Sequence, residues 1–206
     1  MRSCKSKGVH YIINTLIEVI TTRKVFLFMM VSLDGYFEGP DHELDWHNVD
    51  PEFNEFAIAQ LKEVDLLLFG RRTYELMANY WPTVDAKKDD PSVARLMNEI
   101  PKIVFSKTLK SVNWENTRLV NENVINIVSK LKEQTGKEIG ILGSSDLSVS
   151  LLEAGLLDEL RIMANPVVLG RGKPLLQGLK TRIKLSLTKE KKFDSGNVLL
   201  YYNFVK

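Results

Sequence analysis

Short apolar runs alternate with amphipathic segments along the chain, and this alternation is the feature that most limits its fold. Residues 24–33 form a continuous apolar run that ends at Asp34 and Gly35, which is typical of a strand buried on both faces. Residues 51–64 follow with apolar side chains at helical spacing behind an acidic first turn, and residues 65–70 repeat the strand pattern. Strands and helices in alternation predict an α/β fold built on a parallel sheet.

The pattern continues to the end of the chain, but its rhythm changes in the last third. Further helices are predicted from Arg71 and at residues 91–99, 123–132 and 146–154, and further strands at residues 102–105 and 139–142. After Gly155, a candidate left-handed helix C-cap, long strand patterns follow at residues 160–168, 183–191 and 198–205. We therefore predict a three-layer α/β/α domain whose sheet is mixed, with a mainly parallel centre and an antiparallel C-terminal part.

The first 22 residues need a separate interpretation. A basic start is followed by a moderately apolar stretch, which Asn14 and Glu18 interrupt and which no small-residue cleavage site follows. The stretch is shorter than the roughly 20 apolar residues that a membrane span needs. We interpret residues 1–22 as an N-terminal extension of unknown role, either an arm or the product of an upstream translation start, and residues 23–206 as one domain.

Composition excludes several classes of function. The 28 Lys and Arg residues are balanced by 26 Asp and Glu residues, with both signs interspersed, so no basic tract suggests a nucleic acid partner. The single Cys4 forms no intrachain disulfide, and the three histidines do not form a metal-ligand spacing with it. These features predict a cytoplasmic protein that binds a small molecule and needs no metal, nucleic acid or membrane.

Three predicted strand-to-helix junctions place small or basic residues at the carboxyl end of a strand, where open α/β sheets bind ligands. They lie at Gly70, Ser106 and Gly143. The third, in the sequence IGILGSSDL at residues 139–147, is a strand, a tight turn and a helix N-terminus, which is a favourable site for phosphate. A single glycine in such a place is more often a plain turn, and neither GxGxxG nor a Walker loop is present. The three junctions together are a stronger signal than any one of them.

The basic residues of the first two junctions favour a phosphorylated dinucleotide. Gly70 lets the backbone approach a ligand, while Arg71 and Arg72 offer planar donors suited to phosphate, although a single arginine in such a place is more often a solvated helix residue. Ser106 and Lys107 add a hydroxyl and an ammonium group at the next strand end. A 2′-phosphate fits this set better than a bare ribose, which usually meets an acidic residue, so NADP is favoured over NAD.

At these positions the chain resembles the dihydrofolate reductase-like superfamily, and in particular the branch that contains the C-terminal reductase domain of bacterial riboflavin biosynthesis. The resemblance rests on SLDGYFEG, FGRRTYE, the strand end at residues 105–107, ILGSSDL and LLDELRIMANPVVLGRGKPLL. It implies that NADPH is the cofactor. The residues that the resemblance assigns to cofactor binding are Gly70, Arg71, Arg72, Thr73, Ser106, Lys107, Gly143, Ser144, Ser145 and Leu147.

The chain departs from this family pattern at two places. Many members have two or three glycines where this chain has Gly143, Ser144 and Ser145, which restricts how closely a pyrophosphate can approach. The substrate carboxylate of true dihydrofolate reductases follows a tryptophan, and Trp46 is followed by Asp50 at nearly that spacing in a different local sequence. Folate is therefore not assumed to be the substrate.

The candidate residues for the substrate side are Asp34, Trp46 and Asp50. Asp34 could bind substrate or only close the turn after the first strand, and Trp46 could line the pocket or belong to the core. The stretch Asn165 to Pro174 could face substrate and nicotinamide, as the resemblance implies, or form a turn that needs positive φ.

The leading hypothesis is an NADPH-dependent reductase that transfers a hydride to a small heterocyclic, pterin-like or pyrimidine-like substrate, or to a carbonyl. Since the nicotinamide carries the hydride, the protein needs no nucleophile, and the chain shows no Ser/His/Asp or Cys/His constellation. The alternatives are a non-catalytic nucleotide-binding protein that retains the fold, and a true dihydrofolate reductase. The C-terminal strand with Tyr201, Tyr202 and Phe204 could build a homodimer, as the resembling branch often does.

Overall fold

The computed structural model describes residues 22–205, so most of the predicted N-terminal extension lies outside the described residues. The chain there forms ten strands: β1 (Val25–Ser32), β2 (Tyr36–Glu38), β3 (Val64–Gly70), β4 (Lys102–Phe105), β5 (Thr117–Val120), β6 (Glu138–Leu142), β7 (Glu159–Asn165), β8 (Lys173–Pro174), β9 (Leu185–Lys192) and β10 (Val198–Phe204). Eight of them make one sheet in the order β5-β4-β3-β6-β1-β7-β10-β9, and β2 pairs with β8 in a small second sheet.

The main sheet is mixed, as predicted. The six strands from β5 to β7 are parallel to one another, while β10 runs antiparallel to both β7 and β9. The central strand β1 lies between β6 and β7, with Val25 opposite Ile139 and Phe26 opposite Glu159. Its apolar run is continuous because side chains on both of its faces are buried.

Six helices cover the sheet: α1 (Pro51–Lys62), α2 (Arg71–Tyr80), α3 (Val84–Asp89), α4 (Pro91–Glu99), α5 (Val124–Lys132) and α6 (Ser145–Glu153). Alternate residues of a strand point to opposite faces, and the buried clusters follow that rule. Leu67 of β3 packs in the cluster that contains side chains of α1, α2 and α4, whereas Leu68 packs with side chains of α5 and α6. The predicted three-layer α/β/α arrangement with helices on both faces is confirmed.

Four short elements were not predicted, and each has a physical reason. The edge strand β5 contains only two apolar residues, Leu119 and Val120, and the six residues of α3 include only two, Val84 and Ala86. The small sheet of β2 and β8 has too few residues to show a period of two. The predicted strand at 160–168 stops earlier, since β7 ends at Asn165 and the next residue is a proline, which has no N–H to donate.

The parallel strands bring distant parts of the chain to one edge of the sheet. We call the edge where β1, β3, β4, β6 and β7 end the carboxyl edge, and the opposite one the amino edge. The residues that end these strands are Ser32, Gly70, Phe105, Leu142 and Asn165. Within residues 22–205, no helix has the length and apolar character needed to cross a membrane.

Candidate cofactor and substrate site

Two of the three predicted strand-to-helix junctions meet at the carboxyl edge and bond to each other. The prediction of a third at Ser106 was wrong, because a loop leads from β4 to the strand β5 and no helix follows Ser106 there. The N–H of Gly70, which precedes α2, donates to the hydroxyl of Ser144 over 2.9 Å. The N–H of Ser144, which precedes α6, donates in turn to the hydroxyl of Thr73 over 3.1 Å. We call this pair of hydrogen bonds the junction interlock. It joins the predicted FGRRTYE and ILGSSDL segments into one structural unit.

Gly143 is required at this position by both its conformation and its surroundings. Its φ of +77° lies in the left-handed region, which side chains other than glycine rarely adopt. A Cβ atom at Gly143 would also lie 3.1 Å from the Cγ2 atom of Thr73, which is a close contact. The turn therefore packs directly against the first turn of α2.

The first turn of α6 presents backbone donors at this edge. Its first intrahelical hydrogen bond runs from the N–H of Ser148 to the carbonyl of Ser144 over 3.0 Å. The N–H groups of Ser145, Asp146 and Leu147 come before that bond and have no acceptor among residues 22–205. Ser144 caps none of them, because its hydroxyl serves Gly70 instead. Unpaired donors at the positive end of a helix are suited to bind an anion.

Among the basic candidates, the structure separates one restrained side chain from two unpaired ones. Arg71 donates to Glu75 through Nε and to the hydroxyl of Thr108 through a terminal nitrogen, both over 2.9 Å. Arg72 and Lys107 are exposed and make no ion pair within the described part of the chain. Arg71 is thus held in place beside the loop after β4, and the other two cations remain available to a ligand.

Two of the remaining cofactor candidates have side chains that serve the protein itself. The hydroxyl of Ser106 accepts from the N–H groups of Thr108 and Leu109, over 3.2 and 3.0 Å, and so shapes the loop after β4. The side chain of Leu147 is buried in the core beneath α6, which leaves only its backbone N–H for a ligand. Sequence patterns alone did not distinguish these roles.

Asp34 closes the turn after β1 and fastens it to a second loop. Its carboxylate accepts from the hydroxyl of Ser32 over 2.6 Å and from the N–H groups of Leu169 and Gly170 over 3.1 and 2.7 Å. The hydrogen bond from Ser32, followed by those from the two backbone groups, lowers the pKa of Asp34. Gly170 has a φ of +74°, as its turn requires. A contact between Asp34 and substrate stays a prediction.

Trp46 and Asp50 lie on the loop that leads into α1. The indole N–H of the half-buried Trp46 donates to the carbonyl of Glu43 over 3.2 Å. The carboxylate of Asp50 caps α1 by accepting from the N–H of Phe53 over 2.7 Å. Whether either side chain also touches a substrate stays a prediction.

An asparagine network, which the sequence interpretation missed, holds this loop against the sheet. The side chain of Asn165, at the end of β7, accepts from the N–H of Asn48 over 2.9 Å. Asn197, just before β10, donates to the carbonyl of Asn48 over 2.7 Å. Burial of the neighbouring His47 lowers the pKa of its imidazole to about 4, so this ring is neutral at pH 7. Asn165 precedes a proline in the sequence, but nothing there links it to Asn48.

A further set of contacts joins the cofactor and substrate candidates. The hydroxyl of Ser145 accepts from the N–H of Leu176 over 3.3 Å, and Lys173 lies 3.4 Å from the carboxylate of Asp146. These contacts fasten the start of α6 to β8 and to the segment that follows it. The N-terminus of α6 and the loop held by Asp34 are therefore parts of one continuous edge.

A cleft of about 950 Å³ lies at the opposite, amino edge, where the lining carboxylates are paired with Arg161 and Lys24, while Lys62 and Lys189 form no ion pair within residues 22–205. Its buried Arg161 bonds to Glu159 and to Glu138, and Lys24 bonds to Glu159 as well. Size alone would favour this cleft as the binding site. We favour the carboxyl edge because the first N–H groups of α6, together with Arg72 and Lys107, have no partners among residues 22–205.

Comparison with known proteins agrees with this architecture. The family model of the RibD C-terminal domain matches residues 23–199. The uncharacterized protein YyaP of Bacillus subtilis is 34% identical over 184 residues, which cover 88% of this chain and 95% of that protein.

Two solved structures are similar in fold. A protein assigned to riboflavin biosynthesis from Shewanella sp. PV-4 superposes with a TM-score of 0.69 at 23% identity, covering 89% of this chain and 99% of that one. A diaminohydroxyphosphoribosylaminopyrimidine deaminase/5-amino-6-(5-phosphoribosylamino)uracil reductase from Thermotoga maritima superposes with a TM-score of 0.65 at 17% identity, covering 89% of this chain and 57% of that one. At these identities the likeness concerns the fold alone. The match to the family model over most of the chain decides the assignment: the protein belongs to the RibD C-terminal domain family, within the dihydrofolate reductase-like superfamily that its motifs resemble.

Proposed function

We propose that this protein is an NADPH-dependent reductase that transfers a hydride to a small heterocyclic or carbonyl compound. The observation that carries the proposal is the unpaired N-terminus of α6, joined to the FGRRTYE segment at the carboxyl edge of a parallel sheet. This is the edge at which open α/β sheets bind their ligands. When bound, NADPH supplies the hydride, and the chain contributes binding, orientation and exclusion of water.

The pyrophosphate of the cofactor is assigned to the start of α6. Three N–H groups, those of Ser145, Asp146 and Leu147, have no acceptor among the described residues, and the helix dipole adds a partial positive charge there. The carboxylate of Asp146 would oppose an anion, but its side chain is exposed and lies beside Lys173. The donors present therefore fit a phosphate group.

The 2′-phosphate is assigned to Arg72 and Lys107. Both are exposed and form no ion pair within residues 22–205, whereas Arg71 is restrained by Glu75 and Thr108. A phosphate placed between the starts of α2 and of the loop after β4 would gain charge-assisted hydrogen bonds from these side chains. We therefore expect preference for NADPH over NADH, with Arg71 as the less important of the two neighbouring arginines.

The acceptor is assigned to the region between Asp34, Trp46 and the loop at Gly170. Asp34 holds that loop, and the asparagine network holds the segment with Trp46, so both walls are preorganised. The Thermotoga maritima relative is by its description a uracil reductase, which supports a pyrimidine-like acceptor for this chain. A role in riboflavin biosynthesis is part of the same proposal.

One observation favours a second candidate, a nucleotide-binding protein that does not turn over. Both candidate carboxylates of the substrate side accept hydrogen bonds from backbone N–H groups, Asp34 from Leu169 and Gly170 and Asp50 from Phe53. Neither is therefore a free acid or base. Hydride transfer depends more on the orientation of cofactor and substrate than on acid catalysis, so it is compatible with this arrangement. A protein that only binds a nucleotide would need no free acid or base at all.

The proposed homodimer has a candidate surface on the outer strands. Leu187 of β9 lies opposite Tyr202 of β10, and Leu185 lies opposite Phe204, so the four side chains form an apolar stripe on one face. Leu185 and Leu187 are 41% and 47% exposed, and β9 is an edge strand. Contact between two copies would cover both features. Light scattering after size exclusion should give twice the mass of one chain, and Leu187→Lys should shift it to the monomer.

The experiment that tests the proposed function is a titration with NADPH and with NADH, followed by quenching of tryptophan fluorescence. We expect micromolar binding of NADPH and much weaker binding of NADH. Pyrimidine, pterin and carbonyl compounds are then screened for loss of NADPH absorbance. Binding without any turnover favours the non-catalytic candidate, inhibition by antifolates favours a true dihydrofolate reductase, and binding of neither nucleotide refutes all three.

A further inference from the structure

Ser144 occupies a backbone conformation that its side chain does not favour. Its φ of 59° and ψ of 54° are those of the left-handed region, where glycine and asparagine are the usual residues. A serine at the N-cap position normally accepts a hydrogen bond from its own helix, and Ser144 does not. Ser144 thus adopts an unfavourable conformation and also lacks the usual N-cap hydrogen bond. This combination indicates that another contact determines its backbone geometry.

That contact is the junction interlock. The hydroxyl of Ser144 accepts from Gly70, and the N–H of Ser144 donates to the hydroxyl of Thr73. Only 9% of Ser144 is exposed, so water competes poorly for either bond. The left-handed conformation is what turns both groups of one residue toward the neighbouring junction. A glycine at 144 could adopt the same backbone, but it would have no hydroxyl for Gly70.

We propose that Ser144 and Thr73 are positioning residues, which lock the start of α6 to the start of α2 before the cofactor binds. The inference rests on the proposed function, since it assigns these residues a role in binding the dinucleotide. The resemblance implies that Ser144 and Thr73 bind the cofactor directly. In the proposed role their hydroxyl groups bond within the protein instead, and they affect the cofactor through the backbone that they hold in place. The interlock takes the place of the second glycine that the chain lacks.

The physical consequence concerns preorganisation. The N–H groups that have no acceptor among residues 22–205 belong to the first turn of α6, and the interlock fixes this turn through Ser144. Either dinucleotide places its pyrophosphate at this turn and must find it already ordered, or its binding must supply the cost of ordering it. With the interlock intact that cost is met on folding. Without it, affinity falls for any ligand that contacts the start of α6.

This reasoning predicts a pattern that distinguishes positioning from direct contact. Because NADPH and NADH share the pyrophosphate, loss of the interlock weakens both by the same factor. Loss of a 2′-phosphate contact at Arg72 weakens NADPH alone. The ratio of the two dissociation constants is therefore unchanged in a Thr73 variant and falls in an Arg72 variant.

The test uses matched variants of the full chain. Thr73→Val keeps the methyl group that packs on Gly143 and removes the hydroxyl, whereas Thr73→Ser keeps the hydroxyl. Ser144→Ala removes the other hydroxyl. Ser150→Ala is the control, because its exposed hydroxyl bonds only to the carbonyl of Asp146 on the same helix. Affinity for both dinucleotides is measured by fluorescence, and protection of the Gly70 and Ser144 amides by hydrogen exchange.

We expect Thr73→Val and Ser144→Ala each to raise both dissociation constants about five- to tenfold, the loss of roughly one hydrogen bond. Thr73→Ser should restore affinity, and Ser150→Ala should match the wild type. Faster exchange of the Ser144 amide in Thr73→Val, with no ligand present, supports the interlock independently of function.

Two results would overturn the inference. If Thr73→Val is folded and binds both dinucleotides with the affinity of the wild type, the positioning role is refuted and the proposed function stands. Unchanged exchange of the Ser144 amide in that variant refutes the interlock itself. If the wild type binds neither dinucleotide, the proposed function fails and the role of the interlock in binding fails with it. The exchange measurement still tests the interlock in that case, because it needs no ligand.

Discussion

The two edges of the central sheet treat charge in opposite ways. At the amino edge, Arg161 is 4% exposed, its guanidinium lies 3.6 Å from the centre of the Phe26 ring, and it bonds to Glu159 and Glu138. At the carboxyl edge, Arg72 and Lys107 are exposed without ion pairs in the described part of the chain, and three N–H groups of α6 have no acceptor there. The carboxylates that line the cleft at the first edge are paired with cations, whereas the donors and cations named at the second edge have no partners in the described residues.

This contrast separates charged groups that stabilise the fold, which are paired within the protein, from charged groups that are available to a ligand. Burial alone would lower the pKa of Arg161, but hydrogen bonds and charge from Glu159 and Glu138 outweigh it and raise the pKa. A cation so fully paired stabilises the fold and has little left for a ligand. Unpaired donors that face a sheet edge are costly unless water or a ligand satisfies them. The predictions below test whether this division between the edges holds.

The largest effect is expected from Arg161→Met, which removes the centre of the amino-edge network. Glu159 would stay buried with only Lys24 as a partner, and breaking a buried pair in this way costs about 3–5 kcal/mol. Urea denaturation measures the change in the free energy of unfolding, and the double variant with Glu159→Gln should recover part of it. A folded Arg161→Met that has lost NADPH affinity would contradict the division between the edges.

His47 offers a second test of the division between the edges, because it is a partly buried titratable group near the carboxyl edge. Burial lowers its pKa in the folded protein to about 4, against about 6.5 in the unfolded chain. The unfolded state therefore binds more protons between these values, so stability is complete above about pH 6.5 and is lost as the pH falls toward 4. The loss is at most about 3 kcal/mol. Urea denaturation of His47→Gln and of the wild type across this pH range isolates the contribution of His47 to the free energy of unfolding. If this free energy changed with pH in the same way in both proteins, the lowered pKa of His47 would be contradicted.

The two glycines that flank α6 provide a matched test of the edges. Gly143 at the carboxyl edge and Gly155 at the amino edge have φ values of +77° and +67°, and alanine at either site is expected to cost about 1–2 kcal/mol of stability. Only Gly143→Ala adds a close contact with Thr73, since nothing lies within 4 Å of a Cβ at Gly155. Thermal unfolding and NADPH titration should show both variants destabilised and only Gly143→Ala impaired in binding. Equal binding by the two would show that the carboxyl edge has no special role.

The smallest effect on stability is expected from Arg72→Ala and Lys107→Ala. Both residues are exposed and unpaired within residues 22–205, so each change should alter the free energy of unfolding by less than about 0.5 kcal/mol. Each should nevertheless raise the NADPH dissociation constant about tenfold and leave that of NADH unchanged, because one charge-assisted contact is lost. Arg95→Ala, which breaks only an exposed ion pair with Glu99, is the control. Parallel losses for both nucleotides would place the two cations elsewhere than at the 2′-phosphate.

Much of the fold could be predicted from the sequence where local signals and burial agree. The bounds predicted for α4 and β4 are those observed, because a proline starts the helix and a short apolar run defines the strand. The edge strand β5 was missed because such strands need few apolar residues. The two antiparallel strands at the C-terminus were recognised from their length and their lack of intervening helices.

The candidate site was less accessible to sequence interpretation, since its geometry depends on contacts between distant residues. Both loops of the interlock were identified, but nothing local indicates that the hydroxyl of Ser144 serves Gly70. Asp50 is a different case, because an aspartate directly before a proline and a helical pattern is a helix-cap signal. That ordinary role was passed over in favour of a substrate carboxylate.

The place of β6 in the sheet gives the site a particular order of assembly. Gly70 and Ser144 are 74 positions apart, and they meet only once β6 has paired with β3. A nascent chain that ends before this strand has one half of the interlock and no partner for it. Closing so long a loop is among the later events of folding. A dinucleotide that binds across the interlock would recognise only the finished sheet, and at a hundred times its dissociation constant it would add about 2.7 kcal/mol to the stability of that state.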